Sequence, residues 1–268
     1  MAFENPTSSD SANLPDTLDV PVLAIRNTVI FPVLAFPINV GRTKSVRAVE
    51  EALASEDKLL GILAQRDPRT EDPGASELYE VGTVVKILKM VKVPGNKLNV
   101  IIQGLSRIKV DTWSDEQEYL RATLSTHGGD DVSAAEVGDL MGNLRELAQK
   151  IIDLSPQIPA EASFLVRSID EPGVLADIVA SNLNIPSEEK QELLETFDTR
   201  QRMEAVIAVL NKELQVLELS NKIQTEVKGE MDKAQREYFL REQLKAIQKE
   251  LGEVDERQDE FEEIKRNV

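Results

Sequence analysis

From Thr199 onward the chain has no proline, and only Gly229 and Gly252 interrupt a run otherwise suited to one helix. At about 1.5 Å per residue, 199–251 would extend roughly 75–80 Å, far beyond the width of a small domain. Such a helix must leave the domain it starts from. Its final part carries a heptad pattern: Leu240, Leu244, Ile247, Leu251 and Val254 follow one another in steps of four and three, which places them on one seam of a slightly underwound helix. Arg241, Glu242, Lys245, Lys249 and Glu250 lie between them and give the remaining surface mixed charge. An apolar seam of this kind needs a partner. Leu240, Leu244, Ile247 and Leu251 are therefore the candidate assembly residues.

Ahead of this helix the texture changes three times. Residues 1–15 are polar, with two prolines and too little apolar content to repay ordering, so a disordered tail is expected. Short apolar segments separated by turn signals follow at 20–25, 36–40, 59–65, 81–93, 98–103, 106–110 and 119–125, about seven strands. One helix is expected at 43–55, where Val46, Val49, Ala52 and Leu53 recur at helical spacing. Pro94, Gly95 and Asn96 should close a hairpin, because glycine and asparagine tolerate positive φ. Lys86, Lys89, Lys92 and Lys97 read as the solvated face of that hairpin, opposite Val85, Ile87, Leu88 and Val91. Strands this short and close suggest a curled, largely antiparallel sheet or pseudo-barrel.

After the glycine and aspartate pairs at 128–131, helical periodicity begins with a capping box in which Ser133 caps and Glu136 reaches back. Val137, Leu140, Met141, Leu144, Leu147, Ile151 and Leu154 share one side of this helix, which should stop at Ser155 and Pro156. Further helices are expected at 161–168, at 172–183 with Pro172 in the first turn, and at 187–196. The fold class is thus α+β: an N-terminal β pseudo-barrel, then a helical bundle, then a very long helix with coiled-coil character. The expected division is 1–15 tail, 16–127 β-rich domain, 132–197 helical bundle and 198–268 long helix.

Composition narrows the function classes. The 268 residues include no cysteine, which excludes disulfides and cysteine-based zinc sites and suits a reducing compartment. The one histidine, His127, sits beside Gly128 and Gly129 and reads as an incidental surface residue of a linker. No apolar run is long enough for a membrane span, and the N-terminus lacks the pattern of a signal peptide. The expected location is the cytoplasm. A formal net charge of −17 would repel a phosphate backbone at long range. Nucleic acid is therefore an unlikely partner for this chain.

Three blocks carry a family resemblance. Residues 235–253 (QREYFLREQLKAIQKELGE), 20–42 (VPVLAIRNTVIFPVLAFPINVGR) and 78–110 (LYEVGTVVKILKMVKVPGNKLNVIIQGLSRIKV) closely resemble, in order, blocks of the N-terminal region of Lon-family ATP-dependent proteases of the bacterial type. The resemblance implies a PUA-like β domain and a role in recognising misfolded, damaged and short-lived regulatory proteins. It also implies, for the full-length enzyme, a homohexamer that uses ATP and Mg for serine proteolysis. Within these residues no glycine-rich loop ending in Gly-Lys-Ser/Thr is found to cradle nucleotide phosphates, and none of that family's serine and lysine catalytic motif appears. The expectation is an N-terminal portion ending ahead of the ATPase module, with no catalytic, cofactor-binding or metal-binding residue of its own. The carboxylates at 253–263 read as a solvated acidic stretch.

Unfolded or degron-bearing clients share exposed apolar segments, so a capture site should present apolar surface. The segment 28–37 (TVIFPVLAFP) is the candidate, with Val29, Ile30, Phe31, Leu34 and Phe36 as substrate-binding residues. Pro32 and Pro37 argue against a central strand there. The alternative is that these side chains plug the β-domain core. Two other functions compete: a coiled-coil assembly module that does not select clients, and a PUA-like ligand-binding domain. The low aromatic content, 4%, argues against stacking-based RNA recognition by the latter.

Overall fold

The computed structural model describes residues 14–250 apart from 96, 115–117, 129–131, 156–157 and 160. The expected tail over 1–13, Asn96 of the hairpin turn, Pro156, Leu251 and Val254 of the seam and the acidic stretch 253–263 lie outside the described residues. The chain divides into two compact units between Leu214 and Gln215.

Six strands are formed among the described residues: β1 (Thr17–Ile25), β2 (Ala35–Val40), β3 (Leu59–Ala64), β4 (Val81–Val93), β5 (Lys97–Trp113) and β6 (Leu120–His127). They lie in the order β2-β5-β4-β3-β1-β6, and β5 pairs with β6 as well. That extra pairing joins five strands into a ring, with β2 attached to the first half of β5. β1 and β3 run parallel and the other pairs antiparallel. The pseudo-barrel expectation holds. Order begins ahead of residue 16: Leu14 packs against the barrel core, and Thr126 Oγ1 donates to the Pro15 carbonyl at 2.8 Å.

The seven expected strands become six because 98–103 and 106–110 belong to one strand that runs through Gly104. A Cβ on Gly104 would lie 2.5 Å from the Phe31 carbonyl oxygen. The glycine marks a close crossing of two backbones and not a break in the strand. The hairpin tip does use glycine's freedom, with Gly95 at φ 86°.

In the β4–β5 hairpin Val85 and Ile87 are buried as expected, but Leu88 and Val91 are about half exposed, at 51% and 50%. The register between β4 and β5 shifts between Ile87 and Lys89. Leu88 is the extra residue and faces outward, as its place next to the inward Ile87 already requires; beyond it the in-out phase is reversed, so Val91 turns outward and Met90 packs inward.

α1 (Thr43–Ala54) buries Val46, Val49 and Ala52 on an apolar core made with Leu23, Leu60, Val85 and Ile102. A second core inside the ring joins Val22, Leu63, Val84, Ile108 and Leu124. Four helices follow: α2 (Gly138–Leu154), α3 (Glu161–Ser168), α4 (Pro172–Asn182) and α5 (Ser187–Glu195). Met141, Leu144, Leu147 and Ile151 form the buried stripe of α2. Glu136 does accept the Ser133 N–H and hydroxyl, each at 2.7 Å. That reach-back closes a turn ahead of the helix, which starts at Gly138 with no side-chain cap. The two hydrogen bonds hold the exposed Glu136 carboxyl below its ordinary value.

α4 is buried nearly all round and includes Asp177 at 3% exposure. A buried carboxylate needs partners. Arg107 of β5 meets Asp177 in a two-pronged pair at 2.7 and 2.5 Å, and its Nε donates to the Leu194 carbonyl at 3.0 Å. Arg202 approaches the same carboxylate at 3.2 Å and donates to the Thr196 and Phe197 carbonyls. One carboxylate thereby joins the barrel, α4, the end of α5 and the next helix. Gln191 adds a hydrogen bond from α5 to the Val81 carbonyl of β4 at 2.9 Å. His127 is the last residue of β6, and its ring centroid lies 4.4 Å from that of Phe197.

α6 (Thr199–Glu250) is one helix of 52 residues. Thr199, Met203, Val206, Leu210 and Leu214 recur every three or four positions and are buried in the first unit. From Gln215 onward nearly every described residue is exposed.

Candidate functional site

The segment linking β1 to β2 is held from both sides. Thr83 Oγ1 donates to the Ile30 carbonyl at 2.5 Å. Val33 N–H donates to the Gly104 carbonyl at 2.9 Å, and Gly104 N–H to the Leu34 carbonyl at 3.0 Å. Val33 adopts φ 74°, a conformation costly for a β-branched residue and kept only where surroundings enforce it. Here two backbone hydrogen bonds and the crossing at Gly104 enforce it.

This geometry corrects the candidate patch. Val29, Ile30 and Phe31 are 6%, 3% and 0% exposed. They are core residues because the segment turns inward over Gly104, and they offer no free surface. Leu34 and Phe36 are half-buried, and Phe36 packs against the first core.

Beside Phe36 lies a groove of about 380 Å³ between the end of β1 and the length of β2. Leu23, Ala24, Ile25 and Arg26 border it in unbroken succession, as do residues 36–42. A strand face would contribute alternate residues, so these strands present their edges to the groove. Pairing agrees: among the described residues β2 is bonded only to β5, and β1 has no β6 partner beyond Val22. Pro37 lies in β2, where proline blunts an edge against further pairing. Arg26 and Arg42 also border the groove. Arg26 donates to the Thr70 and Glu71 carbonyls, and Arg42 to Gln65 Oε1 at 2.6 Å. Burial, then repulsion from Arg26, pushes the Arg42 guanidinium below its ordinary value despite Asp72 nearby.

The second candidate site lies on α6. Leu240, Leu244 and Ile247 are 53%, 56% and 56% exposed; Leu251 is outside the described residues. The apolar stripe starts earlier than the seam expected from the heptads. Val216, Leu219, Ile223, Val227, Met231 and Tyr238 are each at least half exposed. From Val216 to Met231 the steps are three, four, four and four, with Tyr238 seven residues further on; the succession of fours makes the stripe drift around the helix relative to a strict heptad. Among the described residues no group of three His, Asp or Glu side chains is placed to hold a metal ion, and no helix is long and apolar enough to cross a membrane.

Comparison with known proteins joins these features to a family. Residues 19–212 match the family model described as the ATP-dependent protease La (LON) substrate-binding domain. The chain is 42% identical to a Lon protease of Dictyoglomus thermophilum over 97% of its own length and 32% of that protein's. It is 43% identical to a Lon protease of Anaeromyxobacter dehalogenans, covering 94% of this chain and 30% of the relative. The chain thus spans about a third of the length of the curated relatives it matches. The N-terminal domain of a Mycobacterium avium complex Lon protease superposes with a TM-score of 0.59 at 22% identity, over 72% of this chain and 98% of that one. At that identity the likeness concerns the fold.

Proposed function

Because the chain belongs to the Lon substrate-binding domain family, we propose that it is the client-recognition and assembly region of an ATP-dependent serine protease of the cytoplasm. In this reading the first unit captures unfolded or degron-bearing proteins, and an ATPase and a protease module elsewhere in the enzyme unfold and cut them. The observation that carries the reading is the family match over 19–212, the span that contains the barrel, the groove and the helices packed on them. Leu34 and Phe36 are the members of the expected patch able to meet a client. ATP and Mg act at the rest of the enzyme, so the 268-residue chain should not turn over Mg-ATP. Turnover by a contaminant-free preparation, removed by no further purification, would contradict this.

Capture is tested by crosslinking the chain to a chemically unfolded protein and mapping the adducts. Affinity in the micromolar range or looser is expected, about 8 kcal/mol or less, since promiscuous contacts must be modest. Adducts at or near the barrel support the reading. No adduct at any concentration up to solubility refutes it.

The exposed stripe of α6 favours an additional assembly role, with the complete enzyme a homohexamer. Burying each seam leucine or isoleucine against a neighbour would gain about 1.5–3 kcal/mol. Leu244→Arg should therefore abolish any self-association seen by sedimentation while leaving the barrel folded. A wild-type chain that stays monomeric at high concentration, together with a Leu244→Arg enzyme that assembles and degrades clients normally, would remove the seam from the assembly.

A further inference from the structure

The outward face of β2, β5 and β4 has a chemistry unlike the rest of the chain. The protein carries 48 acidic residues and a net charge of −17, yet from Val81 to Val110 there is no Asp or Glu, nor is there one in β2. Register and burial settle which side chains share the face. Leu98, Val100 and Ile102 of β5 point into the core, so Lys97, Asn99, Ile101 and Gln103 point outward. Ile101 pairs with Pro37 on one side and Lys89 on the other. The shift in β4 between Ile87 and Lys89 adds Leu88 and Val91 to this side. The result is a row of exposed apolar groups, with Ile101 40% exposed between Leu88 and Val91, flanked by the ammonium groups of Lys89 and Lys97 and by no carboxylate of these strands.

We propose that this face binds an extended client segment in which carboxylates alternate with or adjoin apolar side chains. The proposal rests on the capture reading and names a class of segment that the first unit would select. Successive side chains on one side of an extended peptide are about 6.6–6.8 Å apart and neighbouring strands about 4.8 Å apart, so a peptide laid over the face can set apolar groups on the central row and carboxylates toward the lysines. Charge complementarity decides which partner is accepted. In an otherwise strongly acidic molecule, a lysine-bearing face is where an acidic segment meets least repulsion. The apolar centre and the lack of an aromatic side chain on it favour polypeptide over nucleic acid, which is held by phosphate contacts and base stacking.

The test uses the full chain and short labelled peptides followed by fluorescence anisotropy. A peptide alternating Asp with Leu and Val should bind about tenfold more tightly than its Asp→Lys counterpart, and serine in place of Leu and Val should cost a similar factor. Raising salt from about 0.1 to about 1 M, which shortens the screening length from about 10 to about 3 Å, should remove most of the difference between the charged peptides. Lys89→Glu with Lys97→Glu should reverse the preference in favour of the Lys peptide. Leu88→Ser with Val91→Ser should weaken both. All four positions are exposed, and circular dichroism should report an unchanged fold. Equal binding of the Asp and Lys peptides by the wild-type chain, or an unchanged preference in the Lys89→Glu, Lys97→Glu variant, overturns the proposal. So does tighter binding of single-stranded DNA that is lost in the same variant. If the chain still crosslinks to chemically unfolded protein in those cases, capture stands and only this face is wrong. If it captures no unfolded protein at all, both readings fall.

Discussion

Asp177→Ala should lower the unfolding free energy of the first unit by about 3–5 kcal/mol, a fall in melting temperature of about 6–20 °C for a unit of this size. The carboxylate is the shared counter-charge of Arg107 and Arg202, and the three side chains are 4%, 7% and 3% exposed. Removing it takes from two buried guanidiniums the carboxylate they share. Desolvation already spent on the cations is then uncompensated, which is why breaking a buried pair from one side costs far more than the net worth of the pair. The loss should also loosen helix from barrel, since Arg107 is on β5 and Asp177 on α4. Hydrogen exchange would then show α4 and α5 exchanging faster than β4 and β5. Glu242→Ala is the contrast: its pair with Lys245 is exposed at 48% and 66%, and its loss should stay within about 0.5 kcal/mol. A thermal scan in which Asp177→Ala behaves like Glu242→Ala would show that the clamp does not hold the helices to the barrel.

Phe31→Ala should cost about 3–5 kcal/mol, the usual loss for a fully buried phenylalanine. Phe31 is 0% exposed, its carbonyl oxygen stands where a Cβ on Gly104 would clash, and it is followed at Val33 by a positive φ that the surroundings must enforce. A cavity at this position removes packing from a segment already under strain. Phe36 differs because it is half-buried at the groove. Phe36→Ser should lose less stability and should weaken capture of unfolded protein, measured by crosslinking yield at a temperature where the variant is folded. Denaturant unfolding that finds Phe31→Ala as stable as the wild type would return Phe31 to the surface. Unchanged capture by Phe36→Ser would take the groove out of client binding.

The difference between these two phenylalanines shows why the candidate patch was only partly legible. A run such as 28–37, rich in apolar residues and broken by Pro32 and Pro37, looks the same whether it lies on a surface or plugs a core. What separates the two is Gly104, some seventy positions away, whose missing side chain lets the segment cross β5 and turn Val29, Ile30 and Phe31 inward. In the β4–β5 hairpin the error had the opposite sign. Alternation from Val85 and Ile87 assigned Val91 to the buried side, and a register shift after Ile87 moved it out, while Leu88, next to Ile87, is outward by alternation itself. Asp177 gave no local hint either, because its partners lie 70 residues before it and in the first turns of α6.

By itself the sequence determined the periods of the elements and the ends of several, among them β4 and α3. The alternating runs became β4 at 81–93 and most of the other strands, the three- and four-residue spacings became α2 to α5, and the proline-free stretch became α6 from Thr199. It also carried the family, since its motif blocks at 20–42 and 78–110 lie within the match over 19–212. Those properties depend on local backbone preference and on side-chain order, which a linear chain displays directly. Only the tertiary structure decided which apolar side chains meet water and which charges are buried. Burial is set by contacts between distant segments, and one bulge or one close backbone crossing resets the phase that local periodicity alone would extend.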